Sequence, residues 1–430
     1  MSLKEELEKV QKAFRAHALL SVEQRNRYLI EFSKKIVENK AWLLSENEKD
    51  CQVAKGSLKE SLYNRLVLNE SKISEILLGI QNLVDAKDPV GQVLEKTLLD
   101  DALVLEKKSV PIGVIGIIFE SRPDVIPQIL SLIMKSSNAV ILKGGSEALH
   151  SNKAFMQLIQ KTNDLFPEIH QHWALLLESR AEVKELLSYD DLIDLIVPRG
   201  SNELVRYIKS NTQIPVIGHS DGICHVYVHK SADIEKALGV VLDSKVQYPS
   251  ACNALETLLV DQEIADAFLK KLYPLMKSNG VELRACAASR AVLSEMNEAQ
   301  EDDWSTEYGE LILSIKLVED LEDAVDHIER YSSQHTDCIL AEDQTVIDQF
   351  LLKVSSASVF ANASTRFADG YRFGLGAELG ISTSKLHARG PVGIEGLCTY
   401  QYVLQGSGQR VADYSGKSAQ ARFKHKKMKS

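Results

Sequence analysis

The chain has 430 residues, 44% hydrophobic and 26% charged, which fits a globular protein of two or three packed units and excludes disordered and collagen-like classes. A formal net charge of -10 argues against general nucleic-acid binding, because counterion release needs clustered Lys and Arg. The one basic cluster, the terminal "KHKKMKS", reads as a solvated end. No segment approaches the roughly 18 apolar residues of a membrane span, and the N-terminus lacks an apolar leader. The six cysteines are scattered with no C-x-x-C pair, so no structural zinc is expected and the compartment reads as reducing and cytoplasmic.

In chain order, the first hundred residues read as helical. "SVEQRNRYLIEFSKKIVENKAWLLSENEKD" opens with a Ser-x-x-Gln capping box and spaces its apolar residues by three and four. From about residue 100 the style changes to strand pieces. Three strand-to-helix units follow: "IGVIGIIF" before "VIPQILSLIMKSS", "NAVILK" before "EALHSNKAFMQLIQKT", and "LIDLIVP" before "NELVRYIKS". Continuous apolar strands alternating with amphipathic helices predict a parallel sheet covered on both faces, with ligands at the strand C-terminal ends. A second α/β block starts near residue 222 with "GICHVYV" and "SADIEKALGVVLDSKVQ" and runs to about residue 395. "ALVLEKK" and "CTYQYVLQG" are strands with no home in either block.

Four features carry candidate chemistry. Cys252 lies among small residues in "YPSACNALETLLV", between a helix and a strand, and reads either as a nucleophile or as a small buried hydrophobe. "KGGSE" and "PRGSNE" lie between strand and helix, where backbone N–H groups face an anion, or are ordinary turns. Lys143, ending a buried strand, needs an anionic partner. "GLGAELG" fails as a dinucleotide fingerprint, since Leu379 occupies the third glycine's place and no strand precedes Gly374.

These stretches, together with "GVIGIIFESRPDV" and "NASTRFADGYRFGLGAELGISTSKLHARGPVG", resemble the glutamate-5-semialdehyde dehydrogenase family, also called gamma-glutamyl phosphate reductases, of the aldehyde dehydrogenase superfamily. The likeness covers nearly the whole chain and is closest to the reductase half of bifunctional proline-synthesis enzymes, although no kinase-like half can be read here. It implies NADPH-dependent reduction of L-glutamyl 5-phosphate through a thioester on Cys252. It places Lys143, Ser146, Gly200, Ser201 and Glu307 at the NADP(H), and Ser121 where relatives carry an oxyanion asparagine. Ser146 replaces the glutamate of NAD-preferring relatives, whose carboxylate would repel a 2′-phosphate, so NADP is expected. Relatives that hydrolyse their thioester use a glutamate base; here that position falls near His219 or Ser220, so no carboxylate stands there unless the alignment shifts to Asp221, and the absence of that base fits reduction. For the substrate, Arg122 and Arg366 are the candidate anion anchors and Glu120 the candidate partner of the α-ammonium. Asn362 and His387 belong to the signature without an assigned role.

The implied fold is α/β and aldehyde dehydrogenase-like. Residues 1–98 and 112–221 form a cofactor domain with a helical lead-in, 222–396 a catalytic domain, 99–111 and 397–415 oligomerisation strands, and 416–430 a flexible tail. The likeness also implies a homo-oligomer, a dimer or larger, and admits functional coupling to a glutamate kinase. Two rivals remain: an acylating reductase that requires coenzyme A, and a catalytically silent protein that kept the fold. Turnover that depends on coenzyme A marks the first, and cofactor binding without turnover marks the second.

Overall fold

The computed structural model describes residues 2–58, 60–120, 122–218, 221–375, 378–415 and 421–428. Five helices open the chain: α1 (Leu3–His17), α2 (Val22–Glu38), α3 (Lys40–Ala54), α4 (Glu60–Leu66) and α5 (Glu70–Asp85). The expected capping box starts α2, where the N–H of Gln24 donates to Ser21 Oγ at 3.3 Å and the N–H of Ser21 donates to Gln24 Oε1 at 2.9 Å. Within the stretch read as helical, Val93–Asp100 is instead a strand, β1. Its antiparallel ladder with β2 (Leu103–Pro111), sealed by a 2.8 Å Lys96–Glu106 ion pair, decides a sequence whose apolar spacing suits either state.

A parallel sheet follows from β3 (Val114–Phe119), α6 (Val125–Lys135), β4 (Ala139–Lys143), α7 (Leu149–Asn163), β5 (Ala174–Leu177), α8 (Arg180–Leu186), β6 (Leu195–Arg199) and α9 (Asn202–Ser210). Its order is β5-β4-β3-β6, and every residue of β3 and β4 is buried, which is why their sequences are unbroken apolar runs. The β5–α8 pair adds a fourth unit to the three expected. A four-residue strand at the sheet edge carries too little periodicity to read.

The second sheet is built from β7 (Cys224–Val228), α10 (Ile234–Val246), β8 (Leu255–Asp261), α11 (Ala265–Ser278), β9 (Glu282–Ala285), α12 (Ala287–Val292), β10 (Asn297–Glu298), β11 (Ile312–Val318), α13 (Leu321–Tyr331), β12 (Thr336–Leu340), α14 (Gln344–Lys353) and β13 (Ser358–Ala361). Strands run in the order β10-β9-β11-β8-β7-β12-β13, all paired in parallel. Alternation within β7 splits the core: Val226 and Val228 pack with Val241 and Phe268 on one face, while Tyr227 packs with Ile328 and Phe350 on the other. A small hairpin-like pair, β14 (Gly380–Ser382) and β15 (Gly390–Val392), follows.

The chain then adds β16 (Cys398–Gln405) and β17 (Lys426–Met428) to the β1–β2 pair, in the order β16-β2-β1-β17. The two strands left homeless by the sequence thus lie side by side, with Tyr402 opposite Lys107 and Leu404 opposite Leu105. Part of the segment read as a flexible tail pairs with β1, Lys427 opposite Thr97. Residues 1–200, 208–216 and 393–430 form one compact unit, and residues 201–207 and 217–392 a second. Among the described residues, no helix is long and apolar enough to cross a membrane.

Candidate active site

In the second unit, α10 ends at Val246 and the chain makes two tight turns before entering β8. The N–H of Ala251 donates to the carbonyl of Tyr248 at 3.1 Å, and that of Ala254 to the carbonyl of Ala251 at 2.8 Å. Cys252 lies between these turns and is half-buried. Its carbonyl side is packed: Cys224 Sγ donates to its oxygen at 3.3 Å, and a Cβ on Gly222 would stand only 2.2 Å from that oxygen. The N–H of Cys252 has no acceptor among the described residues. The loop is therefore held from behind, and among the described residues no hydrogen bond engages its thiol or N–H. Gly222→Ala is expected to push this loop out of place and lower kcat about 100-fold, as an ångström-scale misplacement does. Steady-state turnover checks it, beside a circular dichroism spectrum that stays native.

A second loop is stitched to the first. The N–H of Thr365 donates to Ser244 Oγ at 3.2 Å, and Asn253 Nδ2 donates to the carbonyl of Ala368 at 2.8 Å. Between these ties Arg366 is buried, with Nε donating to Gln247 Oε1 at 2.9 Å and its guanidinium 5.7 Å from the Tyr248 ring centroid. Cys252 and Arg366, far apart in sequence, therefore share one neighbourhood. Asn362, unassigned from sequence, braces the end of β12. Its Nδ2 donates to the carbonyl of Ala341 at 2.7 Å, and its Oδ1 accepts from the N–H of Ala341 at 3.0 Å. Its φ of 53° is one that asparagine tolerates better than most residues.

Beside the Cys252 loop, on the helix and strand that flank it, lies an ion pair that sequence reading missed. Lys245, on α10, and Glu256, on β8, are fully buried with Nζ and Oε2 2.7 Å apart. Burial pushes the Glu256 carboxyl up and the Lys245 ammonium down, and their attraction opposes both shifts. Glu256 also accepts from the N–H of Gly309 at 3.2 Å, fixing the turn that carries Glu307. Glu307 in turn accepts from Asn202 Nδ2 at 3.1 Å, just beyond Ser201. Asp221, the alternative base position, accepts from Arg206 at 2.6 Å and Asn202 at 3.0 Å, so its carboxylate is engaged by α9. The only forewarning was one glutamate inside the apolar run "ALETLLV".

In the first unit the candidate residues collect at strand C-terminal ends, as parallel sheets arrange them. Glu120 follows β3, with its N–H donating to the carbonyl of Arg199 at 3.1 Å. Arg122, half-buried, sits in the turn leading to α6. Lys143 ends β4, buried, its Nζ donating to the carbonyl of Gly144. Ser146, in the turn after it, is exposed, and so is Gly200 after β6; Ser201, the next residue, belongs to the second unit and is exposed as well. Backbone N–H groups at exposed strand-to-helix turns of this kind can face a phosphate or another anion. Ser121, His219, Ser220 and Gly376 lie outside the described residues.

The sequence model of the aldehyde dehydrogenase family matches residues 2–285. The chain is 50% identical over 415 residues to a gamma-glutamyl phosphate reductase of Brachyspira hyodysenteriae, spanning 95% of this chain and 96% of the relative. It is 47% identical over 430 residues to one from Methanosarcina mazei, spanning 98% and 96%. The crystal structure of gamma-glutamyl phosphate reductase from Thermotoga maritima matches the fold with a TM-score of 0.93 at 38% identity, over 95% of this chain and 100% of that one.

Proposed function

The chain belongs to the gamma-glutamyl phosphate reductases of the aldehyde dehydrogenase family and has that family's fold, and from this premise we propose that it reduces L-glutamyl 5-phosphate to L-glutamate 5-semialdehyde and phosphate in proline biosynthesis. The observation that carries the chemistry is the Cys252 loop, packed on its carbonyl side and without a hydrogen-bond partner for its thiol or N–H among the described residues. The Cys252 thiolate attacks the acyl carbon, the C–O bond to phosphate breaks, and a thioester forms. NADPH, when bound, supplies the hydride that reduces the thioester. Collapse of the resulting thiohemiacetal anion expels the aldehyde and restores the thiolate, so no base has to activate water. The N–H of Cys252 is oriented by its packed loop to serve as an oxyanion donor, a contribution on the order of 3 kcal/mol for one such group. Ser121 is the proposed side-chain donor beside it.

Lys143, Ser146, Gly200, Ser201 and Glu307 would hold the cofactor. An exposed, neutral Ser146 close in sequence to Lys143 supports NADP over NAD, because no carboxylate at that position opposes a 2′-phosphate. Arg122 and Arg366 are the proposed anchors of the substrate's anionic ends, and Glu120 of its α-ammonium. The six free thiols support a reducing, cytoplasmic setting. The outer edge of β16, with Tyr400, Tyr402 and Leu404 exposed, supports a homo-oligomer.

Oxidation of L-glutamate 5-semialdehyde, followed as cofactor reduction, tests this reading. Turnover is expected to require inorganic phosphate and to favour NADP over NAD. Equal turnover without phosphate would mean hydrolysis of the thioester, and a requirement for coenzyme A would identify the acylating alternative.

A further inference from the structure

Arg366 presents an electrostatic problem that the fold leaves open. Its side chain is buried, yet no carboxylate lies within ion-pair distance of it among the described residues. Gln247, a neutral amide, takes Nε, and the two terminal guanidinium nitrogens have no acceptor among the described residues. A second cation stands behind it: Arg372 Nη1 donates to the Arg366 carbonyl at 3.0 Å, and its own nearest carboxylate, Asp369, is 3.7 Å away. Burial, and then the charge of Arg372, hold the Arg366 guanidinium below its ordinary value, while the Cys252 sulfur and the carboxylates of Asp369 and Asp243 act in the opposite sense without reaching ion-pair distance. A buried cation beside another cation is costly unless an anion completes the site.

We propose that Arg366, backed by Arg372, is the binding site for the phosphoryl group of the acyl phosphate and for the inorganic phosphate it becomes. The assignment rests on the acyl-phosphate reduction proposed above and chooses between the two anionic ends of that substrate. Position favours the phosphate. Arg366 is tied to Gln247 and lies 5.7 Å from the Tyr248 ring centroid, both just before the nucleophile loop, and the segment following it is tied to Asn253, immediately after Cys252. The phosphoryl oxygen is bonded to the carbon that the sulfur attacks. The α-carboxylate is four carbon–carbon bonds away from that carbon, roughly 5 Å in an extended chain. Charge favours it as well, since a dianion suits two guanidinium groups and a carboxylate suits one. When the C–O bond breaks, its electron pair stays on the phosphate oxygen, where the guanidinium charge offsets it; the departing phosphate takes its proton from water.

The test uses the full-length protein in the oxidative direction, varying inorganic phosphate and L-glutamate 5-semialdehyde independently. Arg366→Gln is expected to raise the KM for phosphate roughly 30-fold or more, the size of a lost charge-assisted contact, while the KM for the semialdehyde changes by less than about twofold. Arg366→Lys should recover part of the loss, and Arg372→Gln should raise the phosphate KM several-fold. Phosphate should also slow alkylation of Cys252 by iodoacetamide in the native protein and fail to do so in Arg366→Gln. A rise confined to the semialdehyde KM would move Arg366 to the α-carboxylate and overturn the proposal, as would equal changes in both constants. Should Arg366→Gln not fold, Arg366→Lys and Arg372→Gln read the same two constants. Native turnover that ignores phosphate altogether would instead sink the underlying reaction, whatever the arginine variants do.

Discussion

Cys252→Ala is expected to lower turnover in both directions by about ten-thousandfold or more, since removing the nucleophile removes the covalent path as a whole. The variant should fold normally. Cys252 is half-buried in a loop whose ties run through Asn253 and the Cys252 carbonyl, neither of which the substitution touches. Cofactor binding, read by quenching of protein fluorescence, should survive, which separates loss of chemistry from loss of structure. A direct signature is available as well. Native protein given NADP and the semialdehyde without phosphate should hold one acyl group on the peptide containing Cys252, visible by mass spectrometry, and adding phosphate should discharge it. Substantial turnover in Cys252→Ala, or acylation at another residue, would defeat the mechanism.

The second large effect is on stability. Lys245→Met leaves the Glu256 carboxylate fully buried with only the Gly309 N–H for company, and is expected to cost about 3–5 kcal/mol. Lys245→Met combined with Glu256→Gln removes both charges and keeps an oxygen for Gly309, so most of that loss should return. A double-mutant cycle on denaturant midpoints reads the coupling directly. If the double variant were no more stable than Lys245→Met alone, the pair would not act as a unit. Because Glu256 also fixes the Glu307 turn, Lys245→Met should weaken cofactor binding in protein that remains folded.

Much of the fold was legible because its signals are local. Buried parallel strands such as "VIGIIF" and "AVILK" are written as unbroken apolar runs, and the Ser21 capping box is complete within four residues. The strand-end residues Glu120, Lys143 and Gly200 could be placed from the strand-to-helix alternation alone. Where the signal was not local, reading failed. "VLEKTLLD" became a strand because β2 was there to pair with it, and β5 was too short to show a period. "ALVLEKK" and "CTYQYVLQG" are separated in sequence by both α/β blocks, and only the folded chain pairs them with each other.

The site divides the same way. The type of chemistry came from resemblance, since the residues alone left Cys252 open between a nucleophile and a small buried hydrophobe, and the likeness of "YPSACNALETLLV" and the "NASTRF" stretch to the family is what points to the thiol. Its support did not. Gly222 behind the Cys252 carbonyl, Cys224 bonded to it, the Lys245–Glu256 pair beneath it and Arg372 behind Arg366 are relations between elements. Hydrophobic periodicity and capping depend on neighbours along the chain, so the sequence by itself determined most of the helices and buried strands and which loop carries the candidate cysteine. Desolvation, close approach and the pairing of charges depend on neighbours in space, so only the tertiary structure decided what packs behind the Cys252 loop and which buried cation is left without a carboxylate partner among the described residues.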